Sequence, residues 1–136
     1  MNEKENTALV QQAYALFGRG DIAGVLKLLS PDVVWQLTKV ENVPFTGRFE
    51  GPEGVGRFFS NLAAAVDIVK FEPHEFLAQG DKVVVLGESL FKRKEYGNEF
   101  GSKWAHVITV VDGQLKQFDD YGDTATLAEA FKDTRR

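Results

Sequence analysis

Residues 104–121 read WAHVITVVDGQLKQFDDY, and this stretch decides the fold. Apolar residues alternate on both sides of Asp112-Gly113, which predicts two antiparallel strands joined by a tight turn. Upstream, the same period-two pattern continues between turn signals at Gly80-Asp81 and Tyr96-Gly97-Asn98. We therefore expect an antiparallel meander of four strands, at about 67–79, 82–93, 101–111 and 114–121. Pro73 interrupts the first of them, which predicts an edge position or a bulge.

The N-terminal half has the three-and-four spacing of amphipathic helices instead. One helix is predicted over residues 7–17, with Thr7 as its cap, and a second from Asp21 until Ser30-Pro31 stops it. A third extends over about 52–65. A short C-terminal helix is expected from Asp123 or Thr124 through Lys132.

Residues 33–37 are β-branched and aromatic, and they predict a short strand. A long loop over 38–50 follows, which we expect to lie over an opening. Helices followed by a meander of long strands indicate an α+β fold, in one domain over residues 1–136. Because long strands twist and coil, the sheet is expected to curve around the three helices of the N-terminal half and enclose a pocket.

Composition excludes several classes of function. Lysine and arginine number 16 against 20 acidic residues, and they are scattered, so a nucleic-acid partner is not expected. The absence of cysteine removes disulfides and thiolate zinc sites and suits the cytoplasm. The polar N-terminus predicts no secretory signal, and no apolar run is long enough for a membrane partner.

The familiar catalytic motifs GxSxG, HExxH and Walker A do not occur. The two histidines, His74 and His106, lie on different predicted strands without clustered partner ligands. We therefore predict no metal site and no cofactor. His74 follows Pro73 and is expected in solvent.

His106 lies in the most apolar strand and shares a face with Trp104, Ile108 and Val110. It is either a buried structural histidine or a pocket acid, base or donor. Asp119 and Asp120 are adjacent on the last strand, so only one of them faces inward.

The turn decides which aspartate that is. A two-residue turn at Asp112-Gly113 pairs His106 with Asp119, whereas a type I turn with a Gly113 bulge pairs it with Phe118 and brings Asp120 opposite Trp104. The apolar pattern favours the second register and Asp120. A carboxylate among aromatic rings is a candidate proton acceptor, with a structural carboxylate as the alternative.

Aromatic residues make up 12% of the chain and occur on every element, which suits a pocket for a small apolar organic ligand. The candidate walls are Tyr14, Trp35, Phe59, Phe91, Trp104 and Phe118. The opposite face of the sheet, with Ala105, Val107, Thr109 and Val111, is apolar enough to need covering, which predicts a homodimer through this outer face.

Four strings in the sequence are GRGDIAGVLKLLSPDVVW, FTGRFEGPEGVGRFF, WAHVITVVDGQL and FDDYGDTATL. With the order of elements, they resemble the SnoaL-like, ketosteroid isomerase-like branch of the NTF2-like superfamily over nearly the whole chain. This branch includes ketosteroid isomerases, polyketide cyclases and limonene-epoxide hydrolases. The resemblance implies a cone-shaped fold with an enclosed pocket.

The resemblance also bears on the reaction. At the isomerase base position this sequence has Leu37 or Gln36, and His106 stands in place of the isomerase acid. The epoxide-hydrolase pairs fall on Ser89 with Phe91 and on Trp35 with Leu37.

The polyketide-cyclase pattern, a last-strand aspartate near a histidine, resembles Asp120 with His106. It implies a cofactor-independent lyase or isomerase in which Asp120 removes a proton next to a carbonyl and His106 faces the enolate oxygen. A non-catalytic ligand-binding domain is the alternative.

Overall fold

A computed structural model describes residues 2–133. Its helices and strands follow in this order: α1 (Glu3–Gly18), α2 (Ile22–Lys27), β1 (Leu29–Leu37), β2 (Gly47–Glu50), α3 (Gly51–Ala65), β3 (Val66–Gln79), β4 (Lys82–Arg93), β5 (Glu99–Val111), β6 (Gln114–Tyr121) and α4 (Thr124–Ala130). The fold is α+β, as predicted. The six strands form one curved, unclosed sheet in the order β2-β1-β6-β5-β4-β3.

The first helix begins earlier than predicted. The Asn2 side chain accepts a hydrogen bond from the Glu5 backbone N–H at 2.8 Å, and the Glu5 side chain accepts one from the Asn2 N–H at 3.1 Å. This reciprocal capping box satisfies donors that a helix start leaves free. Thr7, predicted as the cap, lies inside the helix, where its hydroxyl donates to the carbonyl of Glu3.

The second helix also ends earlier than predicted, at Lys27, and the chain is already in β1 at Leu29. Ser30-Pro31 therefore does not stop the helix but lies within a strand. Proline is tolerated there because the pairing of β1 with β6 shifts between Leu29 and Val34, so no ladder hydrogen bond is lost at Pro31.

Part of the predicted loop over 38–50 is a strand. Residues Gly47–Glu50 pair antiparallel with Val34–Leu37, and a strand of four residues carries too little periodicity to be predicted. The rest of the loop packs inward, with Val40, Val43 and Phe45 buried. Thr38, Phe45 and Thr46 of this segment line the space between the sheet and the helices.

The antiparallel meander from β3 to β6 is confirmed. The strand with Pro73 is at the sheet edge, and its register shifts between Pro73 and Glu75, so both the edge and the bulge occur. What the sequence did not predict is that β1 lies beside β6 in parallel orientation. This places the first strand of the chain next to the last.

Both predicted registers of the last hairpin are wrong. Asp112 and Gly113 have φ of 52° and 75°, the left-handed pair of a two-residue type I′ turn. A shift between Thr109 and Val110 then moves the pairing, so that His106 lies opposite Asp120. With this shift, the Asp120 side chain lies on the inner face of the sheet. The apolar pattern of the sequence also favoured Asp120 as the inward aspartate.

Trp104 lies flat on the inner face of the sheet over Gly87, its partner on β4. A Cβ at Gly87 would collide with the Trp104 indole and with the carbonyl oxygen of Glu72. The indole is only 8% exposed and contacts further rings, so it has no free space to move into. Gly87 is therefore required by close packing.

We predict that Gly87→Ala lowers the free energy of unfolding by about 1–3 kcal/mol, the usual cost of overpacking a core. Urea unfolding followed by tryptophan fluorescence measures it. Gly18→Ala is the matched control, since nothing lies within 4 Å of its Cβ, and should leave stability unchanged or slightly raised. Equal stability of Gly87→Ala and the native chain would contradict this packing.

Candidate functional site

The space between the curved sheet and the helices is a cavity of about 170 Å³. Every residue predicted for the site lines it: Tyr14, Trp35, Phe59, Phe91, Trp104, His106, Phe118 and Asp120. They come from α1, α3 and four strands of the sheet. The fold thus brings together side chains that are far apart in the sequence.

The His106 ring lies at the centre of this site and is 6% exposed. It stacks on Trp104, with ring centres 3.9 Å apart and planes 8° apart, and it contacts Phe118 at 4.6 Å. The two rings fix the plane of the imidazole. They therefore also fix the direction in which each ring nitrogen points.

Tyr14 approaches His106 from α1. The Tyr14 hydroxyl lies 2.5 Å from His106 Nδ1, a short hydrogen bond between helix and sheet. Burial raises the pKa of the Tyr14 phenol, and the negative charge of Asp120 raises it further. The hydroxyl therefore keeps its proton and can donate it to Nδ1.

Asp120 faces the other ring nitrogen, with Oδ1 3.1 Å from His106 Nε2. This contact does not meet hydrogen-bond geometry, and Oδ1 is buried with no hydrogen-bond partner among residues 2–133. The Asp120 side chain as a whole is 23% exposed. Asp120 is one of the residues that line the cavity.

Asp119 has a different environment. Its carboxylate accepts hydrogen bonds from the Gln117 side chain at 3.0 and 3.3 Å. It alternates with Asp120 along β6 and does not line the cavity. The two adjacent carboxylates are thus separated by the sheet.

The walls of the cavity are mainly aromatic. Trp35 and Phe118 stack with ring centres 4.0 Å apart, and Phe59 meets Trp35 edge-on at 5.7 Å. The indole nitrogens of Trp35 and Trp104 are buried and have no hydrogen-bond partner in residues 2–133. The cavity is therefore mainly aromatic and apolar. Its polar lining includes His106 with Tyr14 and Asp120, and also Thr38, Thr46, Ser89, Ser102, Asp123, Thr124 and Thr126.

Sequence reasoning missed Phe71, Phe45 and Leu127, which also line the cavity. Phe71 stacks on Trp104 at 5.1 Å, and its place in the predicted edge strand was a usable signal. Phe45 lies in a segment without periodicity. Leu127 belongs to α4, and no local pattern shows where a terminal helix docks.

The α4 segment closes one end of the cavity. Asp123 caps the helix by accepting a hydrogen bond from the Thr126 N–H at 3.0 Å, so of the two candidate caps, Asp123 and Thr124, the cap is Asp123 and the helix begins at Thr124. Arg93 holds the other end, donating to the carbonyl of Ala130 while its guanidinium lies 4.8 Å over the Phe131 ring. The helix ends at Ala130 rather than Lys132.

His74 is exposed, as predicted, and its Nε2 lies 3.1 Å from Glu88 Oε1. With Glu72 it forms a set of three possible metal ligands on the outer surface. The Lys70 ammonium, however, lies 3.2 Å from the same Glu88 oxygen, and this hydrogen bond lowers the pKa of Glu88. A lysine thus already occupies the place of a cation.

The profile of the SnoaL-like domain matches residues 10–118. The chain belongs to the SnoaL-like family. No curated protein matches this SnoaL-like chain. No helix within residues 2–133 is long and apolar enough to cross a membrane.

Solved structures agree with the family. An NTF2-like protein from Burkholderia xenovorans LB400 is 31% identical to this SnoaL-like chain, with a TM-score of 0.88 and with 97% of this chain and 99% of that chain covered. An NTF2-like protein of unknown function from Burkholderia pseudomallei K96243 is 27% identical, with a TM-score of 0.87 and coverage of 98% and 100%. TerC, co-crystallised with polyporic acid, is 27% identical, with a TM-score of 0.84 and coverage of 95% and 99%.

We predict that Tyr14 does not ionise in the folded protein at a pH where an exposed tyrosine does. Tyrosinate absorbance against pH measures this, because a tyrosine in free solution ionises at about pH 10. Tyr14→Phe should leave the folded-state curve unchanged.

The raised pKa also affects stability. The unfolded chain releases the Tyr14 proton above about pH 10 while the folded chain holds it, so the free energy of unfolding falls as pH rises above that value and is unaffected below it. Tyr14→Phe should weaken this decline. If the absorbance titration of folded Tyr14→Phe showed one ionising tyrosine fewer than the native protein, Tyr14 would ionise in the native fold, and this would contradict its burial.

Proposed function

We propose that this protein is a cofactor-independent enzyme of the isomerase or cyclase type that removes a proton next to the carbonyl of a small apolar compound. The observation that carries the proposal is the placement of Asp120 beside His106 in an aromatic cavity. A carboxylate there is close enough to a bound molecule to accept a proton, and such general-base help is typically worth about 10²–10⁴ in rate.

In the proposed step, the Asp120 carboxylate takes the proton from the carbon next to the carbonyl. The electron pair of the broken C–H bond moves into the carbonyl and forms an enolate. In isomerisation of a compound that also carries a neighbouring C=C bond, Asp120 returns the proton to a different carbon of the extended enolate, and the C=C bond moves. In cyclisation, the enolate carbon instead bonds to a second carbonyl carbon within the molecule, the π pair of that C=O bond moves to its oxygen, and Asp120 returns the proton to this alkoxide. No external oxidant or reductant is needed in either case.

His106 Nε2 is assigned as the donor to the enolate oxygen. It lies 3.1 Å from Asp120 Oδ1 without forming a hydrogen bond to it, so an N–H on Nε2 has no acceptor within residues 2–133. A donor placed where negative charge develops in a water-poor site contributes strongly to catalysis. Asp120, as the base, would thus act on the carbon next to the carbonyl, and His106, as the donor, would act on the carbonyl oxygen of the same ligand.

The size and lining of the cavity support a small ligand with one ring. An apolar cavity of about 150 Å³ binds benzene, and the cavity here is about 170 Å³. That TerC was co-crystallised with polyporic acid supports the binding of a small organic molecule by a chain this similar. We expect the ligand to stack on Trp35, Phe59, Phe91, Trp104 and Phe118.

Asp120→Asn tests the proposed reaction. It keeps the shape of the side chain but removes the base, so exchange of carbon-bound hydrogen for deuterium in single-ring cyclic ketones should fall by about 10²–10⁴. Mass spectrometry of the ketones in D₂O measures the exchange. The matched control is Asp119→Asn, which changes the adjacent carboxylate on the other face and should retain the activity.

Unchanged exchange in Asp120→Asn would overturn this mechanism. If the native protein exchanges none of the ketones but native mass spectrometry shows one bound intact, the second candidate function is favoured, a non-catalytic ligand-binding domain. The observation behind that candidate is the apolar character of the inner β1 and β4 positions, where Leu37, Trp35 and Phe91 take the place of charged groups.

We also propose a homodimer formed through the outer face of the sheet. Leu77 is 50% exposed, Tyr121 60% and Val111 38%, and Ala105 and Val107 between them are half-buried. Exposed apolar side chains grouped on one sheet face are typical of an interface, and Asp119, which lies opposite Val107, adds a charge to this face. The cytoplasm, favoured by the absence of cysteine, is the proposed compartment.

The dimer predicts a sedimenting species of twice 15.1 kDa at micromolar concentration. Val107→Lys introduces a charge at the centre of the outer face and should give a 15.1 kDa species. Gln12→Lys adds the same charge on the exposed side of α1 and should remain dimeric. A native chain that sediments only as a monomer would remove the proposal.

A further inference from the structure

We propose that Tyr14 is a positioning residue, whose hydroxyl fixes His106 in the tautomer that carries its proton on Nε2, facing the cavity beside Asp120. Tyr14 was predicted as a wall of the substrate pocket. The hydrogen bond at 2.5 Å gives its hydroxyl another partner. The tautomer stands independently of any reaction, whereas its effect on rate rests on the proposed function.

The geometry leaves one arrangement for a neutral imidazole. A neutral ring carries one N–H, and the other nitrogen accepts. If Nδ1 carried the proton, Nε2 would present a lone pair to the Asp120 oxygen 3.1 Å away, and the two acceptors would repel each other. With the proton on Nε2, the Tyr14 hydroxyl donates to Nδ1 and every contact is favourable.

Tyr14 favours the same tautomer. A tyrosine hydroxyl can donate or accept, but His106 Nδ1 is its hydrogen-bond partner within residues 2–133. If Nδ1 carried the proton, the buried phenolic proton would lose this acceptor, whereas Nδ1 without a proton accepts it. Stacking on Trp104 holds the plane of the imidazole, so that Nδ1 stays directed to Tyr14 and Nε2 to Asp120. The hydroxyl on α1 therefore sets the proton position on a ring of β5.

The consequence lies at the site of reaction. With its proton on Nε2, His106 offers a donor to an enolate oxygen, whereas the other tautomer would place a lone pair against the developing negative charge. Holding an imidazole in one tautomer is also what the aspartate of a Ser-His-Asp triad does. Tyr14 would do so through Nδ1 without touching the ligand.

Nitrogen NMR of the unliganded, ¹⁵N-labelled protein tests the inference, at a pH well above the ordinary histidine pKa of about 6.5. In the native chain, His106 should show a protonated Nε2 and an unprotonated Nδ1 shifted by an accepted hydrogen bond. Tyr14→Phe should move the Nδ1 resonance toward that of a nitrogen with no hydrogen bond. His74 is an internal control and should not move, and Tyr121→Phe should leave His106 unchanged.

Kinetics give a second readout. If Tyr14 acts only through His106, Tyr14→Phe lowers kcat for ketone exchange by about 10- to 100-fold and changes KM by less than about twofold. A raised KM with unchanged kcat would instead show that the hydroxyl binds substrate, and would overturn the positioning role.

The two proposals fail separately. A proton on Nδ1 in the native protein, or an Nδ1 resonance that Tyr14→Phe leaves in place, overturns the tautomer lock whatever the activity. Loss of the hydrogen-bonded Nδ1 signal in Tyr14→Phe supports the lock even if the native protein exchanges no ketone, a result that counts against the proposed function alone.

Discussion

The hydrogen bond from Tyr14 to His106 is the interaction on which the rest of the site depends. It joins the first helix to the centre of the sheet inside an aromatic interior, where an unpartnered polar group costs about 1–3 kcal/mol. Trp104 covers one face of the same imidazole and needs the bare backbone of Gly87 beneath it. Tyr14 on the helix and Trp104 on the sheet, with Gly87 beneath Trp104, thus hold His106 in a single orientation.

A cavity remains beside this histidine because the walls pack against each other rather than into the space. Trp35 stacks on Phe118, and Phe71 stacks on Trp104, so these flat rings lie along the walls. The sheet curves around the helices, and α4 covers one end, held by Arg93. Asp120 also lines this space, and its side chain is 23% exposed.

Membership of the SnoaL-like family establishes the fold but not the reaction, because one fold hosts many functions through different side chains in the same pocket. In this chain Tyr14, His106 and Asp120 form a polar cluster in the pocket, contributed by α1, β5 and β6. The inner positions of β1 are apolar. The chemistry that the site can support is therefore set by a last-strand carboxylate and a buried imidazole.

The sequence by itself determined the helices, the antiparallel meander, the edge strand at Pro73 and the aromatic lining, because each depends on local periodicity or on backbone chemistry. Only the tertiary structure decided which aspartate pairs with His106, since a single shift between Thr109 and Val110 changes the register and leaves no mark on the alternation. It also decided that β1 lies parallel to β6 and that Tyr14 meets a histidine on β5. Those contacts join residues distant in the chain, and no local pattern encodes them.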